Sequence, residues 1–186
     1  MKIGLFFGSF NPIHTGHLIM ANYIANNYVD KIWFVVSPQN PFKDHNELLM
    51  AENRLSLVKI AIEKDDRFQA SDIEFKLPIP SYTINTLKGL SQQYPDHEFF
   101  IIIGSDNYEE ITKWKSADEI IKNYKLLIYE RPGFCLSKPT DSSIINAPLL
   151  NISATEIRKL IRQNKSFKYL VPENVYEAIK KNNYFK

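Results

Sequence analysis

Four short apolar runs dominate the chain: "KIGLFF" at 2–7, "KIWFVV" at 31–36, "EFFIIIG" at 98–104 and "KLLIYE" at 125–130. They are too short for buried helices and lack polar alternation, so each reads as a strand covered on both faces. Between them, 16–27, 50–64, 82–93 and 116–123 carry apolar residues at helical spacing; Leu55, Val58 and Ile62 are one such set. Two more helices are expected at 154–163 and 172–182, a weaker polar strand or pair of strands at 67–75, and a last short strand near 147–152. Strand–helix alternation with short connections predicts an α/β fold, a doubly wound parallel sheet. At 186 residues one domain suffices, with 153–186 as its C-terminal helical subregion. The polar connection 37–49 directly follows a strand end, where such sheets bind ligands, and is a candidate lid.

Composition excludes several classes. The single cysteine, Cys135, rules out a disulfide framework and a cysteine-based zinc site. No apolar run is long enough to span a membrane, and a strand beginning at Lys2 leaves no room for a signal peptide, so a cytoplasmic protein is expected. A net charge of +2 does not argue for nucleic acid. Residues 151–186 hold eight Lys/Arg against three Glu, which reads as solvated helix surface.

The first strand runs into Gly8, Ser9, Phe10, Asn11, Pro12, Ile13, His14, Thr15, Gly16 and His17. Gly8 would let a ligand approach the backbone, and Pro12 forces a turn. A helix starting near Thr15 would aim free N–H groups and its positive dipole end into the crevice, with His14 and His17 on one side. This pattern suits phosphate. A metal site would have to recruit His45, His97 or carboxylates, none suitably spaced. Near the other end, "NISATEIRKLI" at 151–161 reads as a helix start in which Ser153 and Glu156 fit a capping box. Capping leaves Arg158 unexplained, because a cation in the first turns opposes the helix dipole unless an anion is bound there.

"GSFNPIHTGH" resembles the G-x-F-x-P-x-H-x-G-H signature of adenylyl- and cytidylyl-type nucleotidyltransferases, and Ile152, Ser153, Thr155 and Arg158 match that family's I-S-x-T-x-x-R. The resemblance implies a Rossmann-like nucleotidyltransferase fold. It also implies that His14, His17 and Arg158 serve the triphosphate of ATP, with Gly8, Ser9, Phe10, Ile152, Ser153 and Thr155 around them.

Within that superfamily, "PSYTINTL" at 80–87 and "IIIGSDNYEEITKW" at 101–114 resemble bacterial nicotinate mononucleotide adenylyltransferases. By this resemblance Gly104 and Asp106 would meet the nucleoside, and Tyr82, Thr83 and Trp114 the pyridine acid. Arg131 would serve the mononucleotide phosphate, with Asn40 and Lys43 in the lid-like loop. As simpler readings, Ser81 would merely cap a helix and Trp114 merely fill the core. The chain departs from the family pattern at Phe42, Asn85 and Lys115.

The implied reaction transfers AMP from ATP to nicotinate mononucleotide, releasing pyrophosphate. Mg²⁺ would ride on the triphosphate, and no protein metal ligand is expected. Pantetheine-phosphate adenylyltransferase and a non-catalytic nucleotide-binding module are the alternatives. The expected partners are ATP and the mononucleotide, not nucleic acid or membrane, and the sequence leaves a homo-oligomer open.

Overall fold

Six strands form in the computed structural model, which describes residues 1–38, 48–78, 81–131, 143–148 and 151–186: β1 Lys2–Gly8, β2 Lys31–Val36, β3 Phe68–Ser71, β4 Glu98–Gly104, β5 Lys125–Tyr129 and β6 Ser143–Ile145. They make one sheet in the order β3-β2-β1-β4-β5-β6, and every pairing is parallel. The chain winds outward from β1 to β3, returns to the middle at β4, and winds out the other way. The order therefore reverses between β1 and β4, and a crevice opens at their carboxyl ends, Gly8 and Gly104.

Among the described residues, seven α-helices cover the two faces: α1 Thr15–Asn27, α2 Ala51–Ile62, α3 Thr83–Gln93, α4 Ser105–Glu109, α5 Ala117–Asn123, α6 Ala154–Arg162 and α7 Glu173–Asn182. In β2, Ile32, Phe34 and Val36 pack under α1, α2, α6 and α7, while Trp33 and Val35 face α3 and α5. Burial on both sides is why these runs lack polar alternation. The C-terminal helices share the first of these cores: Ile157, Ile161, Val175 and Ile179 join Ile24 and Phe34. Among the described residues, no helix is long and apolar enough to cross a membrane.

Three expectations are corrected. The strand expected over 67–75 stops at Ser71, and a 3-10 turn, Ile73–Lys76, follows and buries Glu74. The final strand lies upstream of 147–152, at Ser143–Ile145, because its register ends with Ile145 beside Tyr129; further residues would run past the end of β5. On α2 the buried positions are Arg54, Leu57, Val58 and Ile62, which leaves the partly buried Leu55 at the margin of the stripe.

Candidate active site

A crevice of about 700 Å³ sits over the β1/β4 switch point. One flank comes from the starts of α1 and α6. His14 is the N-cap of α1 and His17 lies in its first turn; their rings stack with centroids 3.7 Å apart. The backbone N–H of His14 donates to His17 Nδ1 at 3.2 Å. An accepting Nδ1 puts the ring proton on Nε2, making His17 a donor on its far edge. Opposite, Ser153 Oγ accepts the Glu156 N–H at 3.2 Å, so its own hydroxyl proton stays available for donation. The Glu156 carboxylate turns to Lys159, 3.7 Å away, rather than back to the cap.

Two contacts bring these distant helix starts together. Arg158 Nη1 donates to the Asn11 carbonyl at 2.9 Å. A Cβ on Gly16 would stand 3.1 Å from His14 Nδ1 and 3.6 Å from Ile152 Cβ, so a bare residue lets α1 approach the segment leading into α6. Gly8 lines the crevice, and a Cβ there would also meet the Phe10 ring at 2.9 Å, so an aromatic side chain of the loop itself requires the glycine. Phe10 itself is 2% exposed and packs edge-on against His17 and Phe34. Its side chain supports the site from beneath.

His14 is 7% exposed, and its Nδ1 is buried with no hydrogen-bond partner among the described residues. Burial, and then the Arg131 guanidinium, push its pKa down to about 4, so the ring is neutral near pH 7. A neutral His14 brings no positive charge to this flank, where Arg158 supplies a guanidinium.

The second flank comes from the opposite face of the sheet. Tyr82 is the N-cap of α3, Thr83 is its first residue, and Trp114 follows the 3-10 turn Ile111–Lys113. All three line the crevice, as do Gly104, Asp106, Arg131 and Thr155. Trp114 is half-buried beside the second core rather than sealed within it. Ser81 does not cap α3: its hydroxyl donates to Glu74 Oε2 at 2.7 Å, while Thr86 Oγ1 donates to Glu74 Oε1 at 3.0 Å. Arg131 pairs with Asp106 at 3.2 Å and donates to the Tyr129 hydroxyl at 3.2 Å, close to the carboxyl end of β4. Asn40 and Lys43, like His45, Phe42 and Cys135, lie outside the described residues.

The other residues that the resemblance placed around the substrates all line this crevice, whereas Pro12, Gly16, Asn85, His97 and Glu156 do not. Three contributors were missed. Glu74 sat in a stretch read as strand, and Lys115, noted only as a departure, holds its ammonium 4.5 Å over the Tyr82 ring. Arg54, 1% exposed, lies beneath the loop after β1; its signal was a charged residue at the apolar spacing of Val58 and Ile62. Among the described residues, no three metal-capable side chains come together.

The cytidylyltransferase-like family profile matches residues 5–160. A probable nicotinate-nucleotide adenylyltransferase of Cytophaga hutchinsonii is 49% identical, covering 100% of this chain and 98% of its own. One of Bacteroides fragilis is 46% identical over 96% of this chain and 90% of its own. Among solved structures, Plasmodium falciparum nicotinic acid mononucleotide adenylyltransferase complexed with NaAD superposes with a TM-score of 0.81, at 24% identity, over 99% of this chain and 97% of its own. That likeness bears on the fold. The sequence relatives go further: the chain belongs to the nicotinate-nucleotide adenylyltransferases of the cytidylyltransferase-like family.

Proposed function

We propose that this protein transfers AMP from ATP to nicotinate mononucleotide, giving the deamido dinucleotide and pyrophosphate. What most supports this reading is the convergence of two anion-seeking helix starts with an aromatic flank in one crevice of dinucleotide size. A phosphate oxygen of the mononucleotide attacks the α-phosphorus in line. The bond from that phosphorus to the bridging oxygen of the β-phosphate breaks, and pyrophosphate leaves with the electron pair. The nucleophile is already an anion, so no general base is needed. Alignment and charge stabilisation carry the rate.

His17 Nε2–H, the Ser153 hydroxyl and Arg158 donate to the triphosphate, and neutral His14 stacks behind His17. Trp114 and Tyr82 offer flat faces to the pyridine ring, and the start of α3, which has no acidic residue in its first turn, faces its carboxylate. Asp106 accepts from ribose hydroxyls, and its Arg131 partner reaches for the mononucleotide phosphate. Lys43 and Asn40 act from the loop at 37–49. A divalent ion such as Mg²⁺, brought in with ATP, would supply further neutralisation of phosphate charge. The chain works as one cytosolic domain.

The test supplies purified protein with ATP and, in parallel, nicotinate mononucleotide, nicotinamide mononucleotide or phosphopantetheine, and measures pyrophosphate and the dinucleotide. Nicotinate mononucleotide is expected to be turned over fastest. Preference for phosphopantetheine, or no turnover with any of the three, overturns the reading.

A further inference from the structure

Among the described residues, the Arg54 guanidinium donates only to main-chain carbonyls. Nε donates to Leu49 O at 2.8 Å, Nη1 to Ser9 O at 2.6 Å and to Ser37 O at 2.8 Å, and Nη2 to Pro38 O at 2.9 Å. Four hydrogen bonds from one side chain bind three chain segments: the loop after β1, the exit of β2 and the approach to α2. We infer that Arg54 is the positioning residue of the phosphate-binding loop, fixing the peptide planes whose N–H groups meet ATP. This rests on the adenylyl-transfer reading only in naming the anion as the triphosphate of ATP.

The argument is geometric. In a planar trans peptide the C=O and the N–H point in opposite directions. The Gly8 carbonyl accepts the Ser37 N–H at 2.9 Å, on the β2 side of β1. The Ser9 carbonyl is drawn to the same side by Arg54. The N–H groups of those two peptide units, belonging to Ser9 and Phe10, are thereby turned away from β2 and toward the β1/β4 crevice. Phe10 holds a left-handed φ of 45°, a conformation an L-residue keeps only when its surroundings hold it there. The next residue is secured from both sides, since Asn11 Oδ1 accepts the Leu49 N–H at 3.0 Å and Asn11 O accepts from Arg158. Leu49 thus links Arg54 to the residue that Arg158 grips.

Chemistry explains the choice of residue. Only a guanidinium can donate in one plane to several carbonyls in divergent directions; lysine presents a compact ammonium. Burial pulls the pKa of Arg54 down to about 10, with Glu52 partly offsetting the effect, so the group stays charged at pH 7. Its four hydrogen bonds to described residues end on neutral carbonyls, which places a cation beneath a site for an anion.

The test compares wild type with Arg54→Lys and Arg54→Met. It titrates Mg·ATP and, separately, inorganic pyrophosphate by calorimetry, and measures KM for nicotinate mononucleotide and the melting temperature. Expected is a rise of about tenfold or more in both dissociation constants, with KM for the mononucleotide within about threefold of wild type. Loop positioning predicts that split; general destabilisation lowers the melting temperature and moves neither ligand selectively. Folded variants that bind ATP and pyrophosphate as wild type does overturn the inference. So does failure of both variants to fold, which would assign Arg54 to the fold as a whole. A wild-type protein that binds ATP without adenylylating nicotinate mononucleotide contradicts the proposed function alone.

Discussion

The two flanks of the crevice are built by different means. On the α1/α6 flank the groups aimed at phosphate are held by hydrogen bonds that cross the chain, such as Arg158 to Asn11 and Arg54 to Ser9. On the α3 flank the ligand-facing groups are side-chain surfaces, Tyr82 and Trp114, supported by one buried carboxylate, Glu74. Phosphate demands directed donors, so its flank is specified atom by atom. An aromatic ring demands area, which several arrangements can supply. Losses on the first flank should therefore strike ATP binding and the chemical step, and losses on the second should strike binding of the mononucleotide.

The sharpest test is His17→Ala or Arg158→Ala, each expected to lower kcat by about a hundredfold or more with the fold retained by circular dichroism. Near-normal turnover in either would break the contrast. Trp114→Ala comes next: KM for nicotinate mononucleotide should rise about tenfold while KM for ATP stays put. A parallel rise in both would mean that the flanks are not separable.

The third prediction concerns pH. His14 takes its proton near 6.5 when unfolded but only near 4 in the fold. The unfolded chain thus binds more protons in that window, and stability falls as pH drops from about 6.5 toward 4, by about 3 kcal/mol in all. His14→Gln should flatten this part of the melting-temperature profile; an unchanged slope would place the titration elsewhere. The smallest effect belongs to Lys115→Met, which removes the ammonium over Tyr82 and should raise KM for the mononucleotide about threefold without changing the melting temperature.

Much of this was legible in the chain. Strands buried on both faces advertise themselves as unbroken apolar runs, so β1, β2, β4 and β5 could be read nearly to the residue. The phosphate flank was legible because its residues fall in two compact segments, 8–17 and 152–158. What escaped depends on tertiary contact. β6 is three residues long and set by its register on β5, while "APLLNI" was the more apolar stretch. Glu74 and Arg54 are charged types that ordinarily mark solvent, and only the burial of their partners reveals otherwise. The neutrality of His14 was not legible, because its pKa is set by burial and Arg131, neither visible at that spacing.

The bond between Arg158 and Asn11 spans 147 positions. A ribosome making this protein emits the first half of the anion site early and the second only after every strand of the sheet has been translated. A nascent chain cannot assemble both halves of the anion site until α6 has emerged, so tight nucleotide capture waits on translation of Arg158.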